Sequence, residues 1–81
     1  MRLTEHARLR MEIREIKRDW IELTIREPEF SRTDPRRPER TLSFRRVPEL
    51  GDRWLRVVHE IDDGEPTIVT AYVDRDAERW R

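Results

Sequence analysis

The sequence contains no cysteine and only two glycines among its 81 residues. Without cysteine the chain forms no disulfide and offers no thiolate to a metal ion. Two glycines are too few for a glycine-rich phosphate loop, and the two histidines lack the paired spacing of a zinc site. No apolar run is long enough for a signal peptide or a membrane span. We therefore expect a cytoplasmic protein with no membrane partner, no cofactor and no bound metal.

An excess of charge of one sign is also missing, because 18 Lys and Arg side chains balance 18 Asp and Glu side chains. A general nucleic-acid coat protein would be basic throughout, so that class is excluded. The charges are unevenly spread, however: residues 1–46 carry 13 basic and 9 acidic side chains, whereas residues 47–81 carry 5 and 9. The first half is therefore suited to face a polyanion.

That basic half begins with a cationic stripe, which consists of His6, Arg10 and Arg14. Residues 4–14 are predicted to form a helix capped by Thr4, and spacings of four residues stack the three side chains on one helix face. Histidine moves protons near neutral pH, and arginine binds phosphate through a rigid fork of donors. The stripe favours a phosphate-binding face; ion pairs between its arginines and carboxylates of the acidic half are the alternative.

The rest of the chain is predicted to contain one more helix and a run of strands. The helix covers residues 18–26 and ends before Pro28, and residues 27–41 form a Pro/Arg-rich loop. Strands with alternating side chains follow at residues 41–47, 53–61 and 66–73. Residues 74–81 form a charged tail that is either a short helix or a last strand. This order predicts a single α+β domain over residues 1–81, with two N-terminal helices packed on a three- to four-stranded antiparallel sheet.

The opening residues resemble the signature of a small bacterial family. The resemblance covers most of the chain and rests on Thr4-Glu5-His6-Ala7, Arg10-Met11, Arg14-x-Ile16, Ile21, Pro28-Glu29, Leu55-Arg56-Val57-Val58 and Ile68-Val69-Thr70-Ala71-Tyr72. On these residues the chain is identified as a member of the domain-of-unknown-function family DUF4258, which is similar to the RelE-like toxins. The family pattern has glycine where this chain has Glu15, so the turn after the first helix is expected to be reshaped or absent.

The resemblance implies a RelE-like fold and an endoribonuclease toxin that cleaves RNA, free or on the ribosome, without a metal. It also implies a cognate antitoxin protein as partner. His6, Arg10, Arg14 and Thr70 carry over from the family pattern, and Tyr72 joins them as a candidate catalytic residue. In such a site His6 would transfer protons, the arginines and Thr70 would hold phosphate, and Tyr72 would orient the scissile group or stack on a base.

Structural roles compete with each of these assignments. His6 could cap or pack its helix, and Thr70 and Tyr72 could be ordinary strand residues. His59 lies on an apolar strand face, which favours a core histidine over a second titrating group in the site. The alternative function is a non-catalytic protein-interaction module on the same fold, docking through a strand edge or through Trp80. Homodimerisation through a sheet edge is compatible with so small a core.

Overall fold

A computed structural model describes residues 1–81 as two helices and a five-stranded sheet. In chain order the elements are β1 (Arg2–Leu3), α1 (Glu5–Arg14), α2 (Arg18–Arg26), β2 (Phe30–Thr33), β3 (Thr41–Val47), β4 (Arg53–Asp62) and β5 (Glu65–Val73). Short 3-10 turns follow β3 and β5, at Pro48–Leu50 and Ala77–Trp80. The α+β class is confirmed, and the tail contains a helical turn rather than a strand. Neither helix is long and apolar enough to cross a lipid bilayer.

The sheet differs from the prediction in strand number and direction. Its order is β1-β5-β4-β3-β2, and β1 runs parallel to β5, whereas the other neighbours are antiparallel. The prediction of three to four antiparallel strands is therefore wrong in detail. β1 has only two residues, too few to show a period, and β2 lies inside the segment predicted as a loop. Both strands exist because distant partners supply their hydrogen bonds, as when Phe30 pairs with Phe44.

Helix α1 begins as the sequence predicts. It is also followed by a turn, which was expected to be reshaped or absent because this chain has Glu15 in place of the family's glycine. The Thr4 hydroxyl accepts a hydrogen bond from the Ala7 amide at 3.0 Å, which satisfies one free donor of the first turn. At the other end Glu15 adopts the left-handed conformation with φ of 55°. The Ile16 amide then donates to the Met11 carbonyl at 2.9 Å, the bond of a Schellman turn. The turn is therefore kept, although a residue other than glycine occupies it.

Apolar side chains cover both faces of the sheet. On one face the two helices enclose a core of Ala7, Met11, Ile16, Ile21, Val47, Leu55, Val57, Ile68 and Ala71. On the opposite face the C-terminal turn covers a smaller cluster of Leu42, Phe44, Trp54, Val58 and Ala77, against which Phe30, Val69 and Trp80 pack. Both faces of the central strands are thus buried, which explains how a chain with 35% hydrophobic residues folds.

Candidate functional site

Helix α1 lies along the outer edge of β5, where that strand has no neighbour. β1 pairs only with Thr67 and Ile68, so the rest of β5 is an open edge. Both ends of α1 contact this open edge. At the start of the helix the Thr4 hydroxyl donates to the Val69 carbonyl at 3.3 Å, and at its end Arg14 Nη1 donates to the Ala71 carbonyl at 2.9 Å. The cationic stripe is therefore held beside the last residues of β5.

Arg14 is the residue at which the predicted site comes together. Its Nη1 lies 3.5 Å from the Thr70 hydroxyl, a long and weak contact, and its guanidinium carbon lies 5.6 Å from the centre of the Tyr72 ring, within cation–π range. Three of the five predicted residues thus meet at the C-terminal end of α1.

A β-bulge sets the direction of the two strand residues. Val58 pairs with Thr70 but His59 pairs with Ile68, so Val69 is an extra residue in β5. Ile68 and Ala71 consequently share the helix-facing core, whereas Thr70 and Tyr72 point to the opposite face. The predicted alternation, which put Ile68 on the same face as Thr70 and Tyr72, is wrong because a bulge resets the period of two.

His6 and Arg10 continue the stripe toward the N-terminus of α1, and both are exposed. Neither makes an ion pair or a side-chain hydrogen bond, and Arg14 has no carboxylate within 4.0 Å. At a rise of about 1.5 Å per residue, the Cα atoms of His6 and Arg14 are about 12 Å apart, with Arg10 midway. The alternative in which acidic residues neutralise the stripe arginines is therefore not what the structure contains.

On the opposite flank of α1, by contrast, the arginine is paired with carboxylates. Arg8 lies 2.7 Å from Glu5 and 3.3 Å from Glu12. The hydrogen bond from Arg8 and its positive charge lower the pKa of Glu5. The two flanks of one helix thus differ: one is an internally paired triad of Glu5, Arg8 and Glu12, and the other carries guanidinium groups that have no carboxylate partner.

The sequence prediction missed Arg56, which contacts the Tyr72 ring from β4, whereas Arg14 of the stripe contacts it from α1. The Arg56 guanidinium is 5.4 Å from the centre of that ring and 4.8 Å from the Trp80 ring, and it is 3.2 Å from Asp74. Tyr72 is therefore held by cations from two elements. One signal existed in the sequence: Arg56 lies between the apolar residues Trp54 and Val58 on one face of β4. Nothing in the predicted tail marked Asp74 as its partner.

Two other candidates prove to be structural. His59 is 8% exposed, and its Nε2 lies 2.8 Å from the Ser43 hydroxyl on the helix-facing side of the sheet. Burial lowers the pKa of its ring, so the favoured interpretation as a core histidine agrees with its position. Trp80 is not a free docking residue, because its ring packs against Phe44 at 6.3 Å and against Arg56.

The stripe lies on an open surface rather than in a cleft. The chain has two depressions, each of about 210 Å³, lined in one case by Trp20, Leu23, Arg45, Arg46, Val47, Pro48 and Glu49 and in the other by Met1, Glu22, Ile25, Arg26 and Pro66. Neither contains a stripe residue. No three His, Asp or Glu side chains lie close enough together to share a metal ion. The cationic stripe can therefore bind an anion directly from solvent through Arg10 and Arg14, with Thr70 and Tyr72 beside Arg14.

Comparison with known proteins identifies the family of this chain but no individual relative. The chain belongs to the family described as domain of unknown function DUF4258, whose model matches residues 3–73. That match confirms the family resemblance, and it includes every residue of the candidate site. No curated protein and no solved structure matches the chain.

Proposed function

We propose that this DUF4258 domain is a metal-independent endoribonuclease of the RelE-like toxin class. The observation that carries the proposal is the contrast between the flanks of α1: Arg10 and Arg14 face solvent without a carboxylate, whereas Arg8 on the same helix is paired with two. In a chain of zero formal charge, such a flank is a local positive field that attracts a polyanion. Arginine suits this role because its planar fork fits phosphate oxygens.

The spacing along α1 suggests where one phosphate of the RNA would lie. The Cα atoms of His6 and Arg14 are about 12 Å apart with Arg10 midway, so a phosphate beside Arg10 is within reach of side chains from both neighbouring turns. Arg14 would approach from the end of β5, where its contact with Ala71 fixes its position. His6 would approach from the first turn. In this arrangement Arg10 holds the phosphate from the centre of the stripe.

Tyr72 and Thr70 extend the binding surface onto β5. The Tyr72 ring is within cation–π range of both Arg14 and Arg56, and its hydroxyl makes no hydrogen bond within the protein. Such a side chain is ready to orient the scissile group or to stack on a base. The Thr70 hydroxyl, 3.5 Å from Arg14, is placed to donate to a phosphate oxygen held by the same guanidinium.

The proposed reaction is an in-line transfer within the RNA strand. The 2′-oxygen attacks phosphorus while its proton passes to a base, and the 5′-oxygen leaves with a proton from an acid. The two arginines stabilise the charge that develops on the phosphorane. The products are a strand ending in a 2′,3′-cyclic phosphate and a strand beginning with a 5′-hydroxyl. His6 is proposed to move one of these protons.

The test is cleavage of RNA, both free and on translating ribosomes, by the purified chain. The wild type should give products with cyclic phosphate ends, and His6→Ala, Arg10→Ala and Tyr72→Phe should each lower the rate. Arg8→Ala is the matched control, because it removes an exposed guanidinium from the same helix outside the stripe. Absence of cleavage by the wild type on both substrates would refute the enzymatic proposal, and full activity of His6→Ala would refute the role of that residue.

A toxin of this class would also have a neutralising antitoxin protein as its partner. Induced expression of the chain should then arrest growth, and co-expression of a small protein encoded next to it should relieve the arrest. Normal growth at high expression of a chain that cleaves RNA in the test tube would refute the toxin assignment alone. A non-catalytic protein-interaction module remains the second candidate, because α1 exposes apolar side chains that no part of the fold covers.

A further inference from the structure

The outward face of α1 carries an apolar strip, which consists of Leu9 and Ile13. Leu9 is 44% exposed and Ile13 is 71% exposed, whereas Ala7 and Met11, on the inward face, are 0% and 9% exposed. The two strip residues are one helical turn apart and so form a continuous surface. In a chain with 44% charged residues, an exposed pair of large aliphatic side chains on one helix face is a feature that the fold itself does not use.

Unlike charges border the apolar strip on its two sides. His6 and Arg10 of the cationic stripe lie along one side, and Glu5 and Glu12 lie along the other. The acidic side is only partly compensated, because both carboxylates share the single arginine between them. A surface that is apolar along its centre, cationic on one side and acidic on the other is complementary to a copy of itself in one orientation only.

We propose that the apolar strip of α1 packs against the same strip of a second copy, with the two helices parallel about a two-fold axis. Rotation about an axis parallel to the helices places the cationic side of each copy opposite the acidic side of the other. An antiparallel arrangement places like charges opposite each other. The parallel pair also brings Glu5 toward Arg10 of the second copy, because a spacing of five residues is that of the g and e positions of a parallel coiled coil.

The size of this surface determines the kind of dimer. A helix of 10 residues is about 15 Å long, so the contact lies at the small end of specific interfaces and the dimer should be weak and dependent on concentration. The outer edge of β5 does not offer a similar surface, since Thr4 and Arg14 occupy its carbonyl groups. The inference does not rest on the proposed nuclease function and competes with it at Arg10, which the dimer places beside Glu5 of the second copy. The experiments below contain no RNA, so they test the dimer separately from the nuclease.

The first experiment is sedimentation of the purified chain from micromolar to near-millimolar concentration. The wild type should shift from monomer toward dimer, and Ile13→Glu should weaken self-association at least about tenfold by placing a charge in the centre of the contact. Ile61→Glu is the matched control, because Ile61 is 66% exposed but lies on β4. Arg10→Glu should also weaken the dimer, and the double variant Glu5→Arg/Arg10→Glu should restore it. A wild type that stays monomeric throughout the range would overturn the proposal.

The second experiment tests the orientation and uses the absence of cysteine from the chain. Residues near a two-fold axis parallel to α1 face their own copies, so Ile13→Cys should form a disulfide-linked dimer readily under mild oxidation. Glu39→Cys, at an exposed loop position, should not. A mixture of Leu9→Cys and Ile13→Cys chains should yield mainly like-with-like dimers. Predominant crosslinking of Leu9→Cys to Ile13→Cys would show an antiparallel pair and overturn the proposed arrangement.

Discussion

Replacing Arg14 with alanine should destabilise the protein, whereas the same replacement at Arg10 should not. Arg14 donates to the Ala71 carbonyl at 2.9 Å and lies against the Tyr72 ring. For a partly exposed site, a charged hydrogen bond contributes about 1 kcal/mol and the cation–π contact about 0.5 kcal/mol. Loss of a cation from the last turn of α1 removes roughly 0.3 kcal/mol more. The free energy of unfolding should therefore decrease by about 2 kcal/mol.

Arg10 lies one turn before Arg14 on the same helix face and lacks its contacts, which makes it an internal reference. It is exposed, and it has neither an ion pair nor a side-chain hydrogen bond. Its alanine variant should therefore stay within about 0.5 kcal/mol of the wild type. If Arg10 binds one phosphate, as the nuclease proposal requires, the same variant should reduce the salt dependence of single-stranded RNA binding by about 0.7 in the slope of log K against log salt.

Urea denaturation followed by circular dichroism separates these effects. Dilute samples keep self-association out of the measurement, and equal m-values for the three proteins would show that the extent of unfolding is unchanged. Arg14→Ala should melt roughly 4–8 °C lower for each kcal/mol lost, as is typical of a domain of this length. Equal stability of Arg14→Ala and wild type would refute the argument that this side chain fixes α1 to the edge of β5.

Three further predictions concern residues outside the stripe. Glu15→Gly should raise the free energy of unfolding by about 1 kcal/mol in urea denaturation, because glycine adopts the left-handed conformation without strain. Burial lowers the pKa of His59, so stability should fall as the pH decreases below about 6.5, by at most about 1.4 kcal/mol per pH unit. His59→Gln, which keeps a polar partner for Ser43, should flatten that dependence. The ion pair between Arg56 and Asp74 is largely buried, since their side chains are 16% and 10% exposed. Asp74→Asn leaves the Arg56 charge buried without a carboxylate partner, so the free energy of unfolding from a thermal melt should fall by about 3 kcal/mol.

The elements that could be predicted from the sequence are those with local causes. Thr4 caps α1, Pro28 follows the end of α2, and alternation marks the three longest strands, so their predicted and observed ranges agree within a residue. β1 and β2 have no such local signal. β1 exists because Arg2 lies opposite Thr67, far away in the sequence, and such a pairing cannot be recognised from neighbouring residues.

The candidate site divides in the same way. The cationic stripe could be predicted because helical spacing alone puts its residues on one face. Its meeting with Tyr72 could not be derived from spacing, since it depends on where α1 lies against the sheet. Arg56 was missed because its position reflects two distant contacts, the carboxylate of Asp74 and the ring of Trp80.

The bulge at Val69 connects the architecture of the sheet to the candidate site. Without the extra residue, a period of two would place Thr70 and Tyr72 on the same face as Ile68, under the helices and inside the core. With it, Ile68 stays buried at 0% exposure, and Tyr72 turns to the other face, beside Arg56. Arg14 then reaches Tyr72 around the open edge of β5, since no strand separates them there. One irregular residue thus lets β5 supply the core on one side and polar groups to the stripe on the other.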